Sequence, residues 1–233
     1  MHKLDHIVFG ARCLEEGTNF IEKKLDIKLS EVGYHDFMGT HNRVVKVDKD
    51  VYLEVIAIDP SSKSPNQNRW FNLDNPILQK KLEYSPQMIG YVIETKDKEI
   101  LKHFCTPIEA SRGNYKWNFA MPSLESNFFN KELIENGIIP SLINWKSNKP
   151  VYEMKNNQLS LNKIEIEILD NQMQYKKIMD TIGIIEKLRF SKKNKTNNHQ
   201  YNKYPRIKAF IKDNNLNKNI LRSIHLNQTR YHY

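Results

Sequence analysis

The sequence predicts an α+β protein built from two βαβββ modules with a basic C-terminal tail. The order of strand, helix and further strands begins at Leu4 and begins again at Met88. β-Branched and aromatic residues are concentrated in the expected strands, with turn residues between them. The segments Tyr52–Asp59 (YLEVIAID) and Lys163–Asp170 (KIEIEILD) align with each other, which indicates two strands that close equivalent modules.

The first module begins with a strand at Leu4–Gly10. A helix is expected at Leu14–Leu25, because its apolar residues fall on one stripe and its charged residues mostly outside it. A weak strand is expected at Ile27–Gly33. The hairpin Gly39–Asp59 then completes the module, with its turn near Lys49.

The turn of this hairpin decides which polar residues share a face of the sheet. If the loop holds two residues, His41 and Glu54 point to the same face. If Lys49 alone is the centre, they point to opposite faces. Neither Asp48-Lys49 nor Lys49-Asp50 contains the glycine that would favour one register, so both stay open.

The second module follows a connecting segment that carries Trp70 and Phe71 and a short helix at Ile77–Leu82. Its expected elements are a strand at Met88–Glu94, a helix at Asp97–Phe104, strands at Lys116–Met121, Ile139–Trp145 and Leu159–Leu169, an insertion at Pro122–Gly137, and a closing helix at Gln172–Leu188. We therefore divide the chain into a first module (1–60), a connecting segment (61–86), a second module (87–190) and a tail (191–233).

The charge of the chain is unevenly distributed. The net charge is +9, but the tail contains ten of the 36 basic residues and one of the 27 acidic residues, so the body is neutral. The tail therefore reads as a poorly ordered appendage, with a weakly nucleic-acid-binding or membrane-surface arm as the alternative.

The rest of the composition indicates a cytoplasmic setting. No apolar run approaches the ~20 residues that a membrane-spanning helix needs, and Met1–Asp5 leads straight into a strand. The two cysteines, Cys13 and Cys105, are expected to be small buried residues rather than a disulfide or a nucleophile.

Charged residues inside apolar strands point to a candidate site. Glu54 is a carboxylate within an otherwise apolar strand, where a charge is costly unless it meets water, a partner or a metal. His6 lies in the strand-like run LDHIVFG, and His41 enters the hairpin that contains Glu54. Two imidazoles and a carboxylate on neighbouring strands are a suitable ligand set for a divalent metal.

The chain resembles the glyoxalase-like domain branch of the vicinal oxygen chelate superfamily. The resemblance lies in the paired modules and in four segments: LDHIVFGARCLEEG, MGTHNRVVKVDKDVYLEVIAID, RWFNLDNP and IPSLINW. The resemblance covers roughly residues 1–190. It implies that each module curls into a half-barrel and that the two halves face each other around a pocket. It also implies metal ligands on the first and last strands of each module: His6 and Glu54, then Glu165, with Gly90 where a fourth ligand would be. His41 is a substitute for that ligand.

Other residues are candidates for binding or catalysis. Glu54 and Glu165 are candidate catalytic bases. The candidate substrate-binding residues are Asn42, Arg43, Arg69, Trp70 and Trp145. The alternative for Arg69 is an ion pair with Asp74, and the alternative for the two tryptophans is a place in the core. His35 is expected at the surface.

The sequence has no Gly-rich phosphate loop, no nucleophile elbow and no Cys-x-x-Cys motif, which argues against nucleotide-dependent, serine-hydrolase and zinc-ribbon functions. Besides nucleic-acid binding through the tail, two functions are left. The resemblance implies a metal-dependent lyase, isomerase or dioxygenase acting on a small molecule. The alternative is a non-catalytic module of the same fold that sequesters a small molecule. The expected partner is a small-molecule ligand, with a homodimer left open.

Overall fold

The computed structural model describes residues 2–104, 106–123, 129–168, 172–183, 185–192, 206–214 and 221–224. Eight strands form one sheet: β1 (Lys3–Gly10), β2 (Gly33–His35), β3 (Thr40–Lys46), β4 (Tyr52–Ile58), β5 (Gln87–Glu94), β6 (Ile108–Arg112), β7 (Tyr115–Ala120) and β8 (Ser141–Trp145). Four more form a second sheet: β9 (Leu159–Ile168), β10 (Leu188–Lys192), β11 (Arg206–Asp213) and β12 (Leu221–Ile224). The helices are α1 (Leu14–Leu25), α2 (Pro76–Leu82), α3 (Lys98–Phe104), α4 (Lys131–Glu135) and α5 (Gln172–Ile182).

The larger sheet has the strand order β2-β3-β4-β1-β5-β8-β7-β6. From the central antiparallel pair β1 and β5, each module runs outward in the same order, and each module joins its first strand to its last by a parallel pairing. The predicted α+β fold of two βαβββ modules is therefore confirmed. The helix Leu14–Leu25 is also found where its apolar stripe places it.

The strand that closes the second module differs from the one expected. Ser141–Trp145 pairs in parallel with β5, as β4 pairs with β1, so it holds the place that was assigned to Leu159–Leu169. β9 instead lies in the second sheet, between β10 and β11. Both segments alternate apolar and polar residues, and this pattern alone cannot say which sheet a strand joins.

Two further elements of the large sheet were not foreseen. The second strand of the first module is Gly33–His35, not Ile27–Gly33. Ile108–Arg112 forms β6, an edge strand of the large sheet, in a segment that the sequence pattern leaves without structure. Cys13 is exposed, contrary to expectation, and Cys105 lies outside the described residues.

Part of the predicted tail belongs to the core. β11 pairs with β9, and its inward residues Ile207, Ala209 and Ile211 are buried. The expectation that the tail adds little to the core is therefore wrong for Arg206–Asp213, because strand alternation buries one face of the segment despite its basic charge. Residues 193–205, 215–220 and 225–233 lie outside the described residues.

The core has two parts, one on each face of the large sheet. On one face, α1, α5 and the second sheet pack against residues such as Ile7, Phe9 and Val55. On the other face, Val8 and Ile56 pack with the aromatic residues of the second module and of the connecting segment. None of the helices in the described part of the chain is long and apolar enough to cross a membrane.

Candidate functional site

A concave pocket lies between the two modules, on the face of the large sheet that is turned away from the second sheet. Its free volume, including its opening to solvent, is about 500 Å³. The polar part of its lining consists of His6, His35, Asn42, Glu54 and Arg112. Its aromatic part includes Trp70, Phe71, Tyr115, Trp117, Phe119 and Trp145. Each module contributes strands to the wall, so the pocket depends on both.

His6 lies between two carboxylates at one end of the pocket. Its Nδ1 atom is 2.7 Å from Oδ1 of Asp5, and its Nε2 atom is 3.5 Å from Oε2 of Glu54. All three side chains are buried, with 0% of Asp5, 3% of His6 and 6% of Glu54 exposed. The ring of Tyr52, directly opposite on β4, stacks on the imidazole at 4.5 Å. This packing fixes the ring plane.

These contacts determine the charges of the cluster. Burial works against charge on His6, but hydrogen bonding and attraction from Asp5 and Glu54 outweigh it, and the pKa of His6 is raised. Burial likewise opposes charge on both carboxyl groups, yet their contacts, with His6 foremost, lower the pKa of Asp5 and of Glu54. These shifts all favour an imidazolium held between two carboxylates.

Asp5 is held by three donors. Besides His6, the indole Nε1 of Trp145 donates to Oδ2 at 2.9 Å, and Nζ of Lys149 lies 3.1 Å from the same oxygen. Lys149 is itself buried and also binds Glu94 at 2.9 Å. Because both oxygens of the Asp5 carboxylate are held by these contacts, the orientation of His6 is fixed from behind the pocket wall.

A series of hydrogen bonds connects Glu54 to Arg112 across the pocket. Asn42 Nδ2 donates to Oε1 of Glu54 at 2.6 Å, and Nη1 of Arg112 donates to Oδ1 of Asn42 at 2.9 Å. The same Nη1 atom lies 3.1 Å from Nε2 of His35. Since an arginine only donates, His35 accepts through Nε2, and its Nδ1 carries the proton toward Thr40 Oγ1, 3.3 Å away.

His35 is neutral in this arrangement. Burial lowers its pKa to about 4, and the neighbouring Arg112 acts in the same direction. The side chain is 6% exposed, so the expectation that His35 lies at the surface is wrong. It packs edge-on against Trp70, whose Nε1 donates to the same Thr40 oxygen at 3.0 Å.

The structure determines the register of the hairpin. Val44 lies opposite Glu54 and His41 lies opposite Ala57, so Lys49 alone is the centre and His41 points away from Glu54. The expectation that His41 joins His6 and Glu54 at one site is therefore wrong. The odd-numbered Arg43 shares the outward face and donates to the carbonyl of Ser30 at 2.6 Å, so it does not line the pocket.

The remaining candidates divide into two groups. Asn42, Trp70 and Trp145 line the pocket with His6 and Glu54. Arg69 instead pairs with Asp74 and borders a separate cavity. Glu165 lies on β9 in the second sheet, where it binds Lys163 at 2.8 Å, so it is not brought near Glu54.

Several residues of the site were missed from the sequence, among them Asp5, His35, Tyr52 and Arg112. Asp5 carried the same signal as Glu54, a carboxylate within an apolar strand. The other three carried no local signal, because their place in the pocket results from the curvature of the sheet.

The residues of the pocket do not fit a divalent metal. In the described part of the chain, no three histidine, cysteine or acidic side chains converge on one point. Both ring nitrogens of His6 are already engaged, one with Asp5 and the other with Glu54. The unprotonated Nε2 of His35 accepts a hydrogen bond from Arg112, so it is not available to a metal either. A structural or catalytic metal needs at least three protein ligands in most such sites. The structure offers two here, with the cationic Arg112 beside them.

Two βαβββ modules around a shared pocket are consistent with a glyoxalase-like domain protein. The model of the glyoxalase-like domain family matches residues 4–177, and the chain belongs to that family. A hypothetical protein from Staphylococcus aureus has the same fold, with 17% identity, a TM-score of 0.64 and coverage of 91% of each chain. The search of curated proteins gave no match.

A more distant structure is the methylmalonyl-CoA epimerase from Mycobacterium tuberculosis. It is 15% identical, has a TM-score of 0.38, and matches 64% of this chain and 91% of its own. A likeness at that level carries no argument about what this chain binds.

Proposed function

We propose that this protein binds a small, planar organic molecule in the pocket between its modules and does so without a divalent metal. The observation that carries the proposal is the position of the three tryptophans of the chain. Trp70, Trp117 and Trp145 all line this one pocket, which ends on the His6–Glu54 cluster. Aromatic walls with few polar groups at one end are typical of small-molecule sites.

The aromatic side chains support a planar ligand in particular. The rings of Trp70 and Phe119 pack edge-to-face with their centroids 5.6 Å apart. The rings of Trp117 and Trp145 are tilted, with their centroids 5.5 Å apart. Such rings offer both faces and edges to a flat ligand. Asp5 and Glu54 hold His6 fixed, so the polar end of the pocket is preorganised before the ligand arrives. The cytoplasmic setting and the homodimer stay predictions.

A thermal-shift screen tests this proposal. A library of planar aromatic acids, amides and alcohols is screened with the full chain in buffer that contains EDTA. We expect a subset of planar compounds to raise the unfolding midpoint, because a ligand that binds only the folded state stabilises it. A variant with the pocket filled, Val44→Phe, should lose this response. Equal responses of the two proteins to every hit would contradict the proposal.

One feature also favours proton transfer as a second function. Glu54 is charged and buried, with Asn42 on one oxygen and His6 near the other. A carboxylate held in this way can take a proton from an acidic C–H of a bound molecule. The test is deuterium exchange into a bound ligand in D₂O: Glu54→Gln should abolish exchange and keep binding. Exchange that survives in this variant would exclude Glu54 as the base.

A further inference from the structure

Arg112 is a cationic side chain that lines the pocket. It lies at the end of β6 and extends to the first module, where its Nη1 atom donates hydrogen bonds to both Asn42 and His35. The two hydrogens of Nη1 are therefore used by the protein. The hydrogens on Nε and Nη2 make no hydrogen bond to any residue that the structure describes. This edge of the guanidinium is available to a ligand.

The two contacts through Nη1 fix the plane of the guanidinium. His35 and Asn42 are both buried, and both accept from the same nitrogen at 3.1 and 2.9 Å. A guanidinium held along one edge presents its other N–H groups in a fixed fork. That fork matches the two oxygens of a carboxylate.

The charges around the pocket agree with an anionic ligand. Of the groups that line it, Arg112 is a permanent cation, His6 has a raised pKa, and Glu54 is the one carboxylate. Asp5 and Glu94 lie behind the wall, where Lys149 stands between them. His35, which faces Arg112, carries no charge to compete with it. Among the described residues no carboxylate contacts Arg112, so the protein leaves its charge unneutralised.

We infer that Arg112, and not a divalent cation, binds the anionic group of the ligand, which is a planar carboxylate. This inference rests on the proposed function. It also accounts for the poor fit of the pocket to a metal, since the guanidinium supplies the positive charge that a metal would otherwise bring to the ligand's oxygens. The aromatic walls then hold the flat body of the ligand, and Glu54 lies across from its charged end.

The experiment compares two ligands of nearly the same shape, naphthalene-2-carboxylate and naphthalene-2-carboxamide. Their affinities for the full chain are measured by isothermal titration calorimetry in EDTA. We expect the carboxylate to bind about 10- to 100-fold more tightly, the range for a hydrogen bond to a charged partner. Arg112→Met should remove this preference, and Arg112→Lys should keep only part of it. Arg43→Met, on the outward face of β3, is the matched control and should keep it fully.

The outcomes separate the inference from the proposed function. Equal affinities of the two ligands for the natural protein would overturn the inference and leave small-molecule binding in place. A preference that survives in Arg112→Met, or that needs an added divalent metal, would do the same. Failure of both ligands to bind at millimolar concentration would overturn both. The comparison of the two ligands on the natural protein decides the matter even if Arg112→Met does not fold.

Discussion

Arg112 Nη1 lies 2.9 Å from Asn42 Oδ1, and this bond joins the two ends of the large sheet. Arg112 is at the tip of β6, the outermost strand of the second module, and Asn42 is on β3, one strand from the opposite edge. The two residues can meet only because the sheet curves nearly into a closed barrel. The pocket is the space that this curvature encloses.

The first prediction concerns the charge of His6. Glu54→Gln removes one of the two carboxylates that raise its pKa, so the pKa of His6 should fall. The measurement is an NMR titration of the His6 ring signals. Glu165→Gln, on the second sheet, is the control and should leave the titration unchanged. An unchanged His6 titration in Glu54→Gln would show that the two side chains do not interact in solution.

The second prediction concerns stability at acid pH. The pKa of His35 is about 4 in the folded protein and about 6.5 when the chain is unfolded, so only the unfolded state takes up this proton between those values. Its contribution to stability is therefore complete above pH 6.5 and is lost as the pH falls toward 4. Denaturant unfolding of the natural protein should lose about 1–3 kcal/mol more than that of His35→Gln over this range. Parallel pH profiles would contradict a buried, neutral His35.

The third prediction tests the close approach of the chain at Gly137. Its φ is +68°, and an added Cβ would lie 2.1 Å from the carbonyl oxygen of Ile89 on β5. Gly137→Ala should lower the free energy of unfolding by about 3 kcal/mol or more, from overpacking and backbone strain together. Gly113 also has a positive φ but has no atoms near its Cβ position, so Gly113→Ala should cost about 1 kcal/mol. Similar losses in the two variants would show that the backbone yields at Gly137.

The fourth prediction concerns β11. Ile211 is fully buried there, so Ile211→Ala should lower the free energy of unfolding by about 2–5 kcal/mol. Lys212→Ala, at the next position on the half-exposed face, should change it by about 0.5 kcal/mol at most. Chemical denaturation measures both. A small effect of Ile211→Ala would mean that the second sheet adds little to the core.

The sequence was most informative where a charge interrupts an apolar strand. His6 and Glu54 could be identified in this way, because a buried charge needs a partner wherever the strand lies in the fold. The register of the hairpin could not be identified, because its turn lacks the glycine that would fix it. That one-residue uncertainty decided whether His41 belonged to the site.

Arg112 and His35 show where local patterns stop being informative. The segment around Arg112 (EASRGNY) has the composition of an exposed hairpin, and all seven of its residues are exposed or half-buried. Its role depends on contacts with residues about 70 positions earlier, made by closure of the whole sheet. The place of β9 was missed for a related reason. Alternation of apolar and polar residues indicates a strand, but it does not indicate which strands lie beside it.

The central claim is that the pocket binds a small molecule without a metal, and the three tryptophan indoles report on it directly. The most direct measurement is a titration of their ¹⁵N–¹H signals with the strongest hit of the thermal-shift screen, in EDTA and then in added Zn²⁺. We expect the signals of Trp70, Trp117 and Trp145 all to shift, with the same dissociation constant in both conditions. Binding that leaves the indoles unchanged, or that appears only with Zn²⁺, would contradict the account.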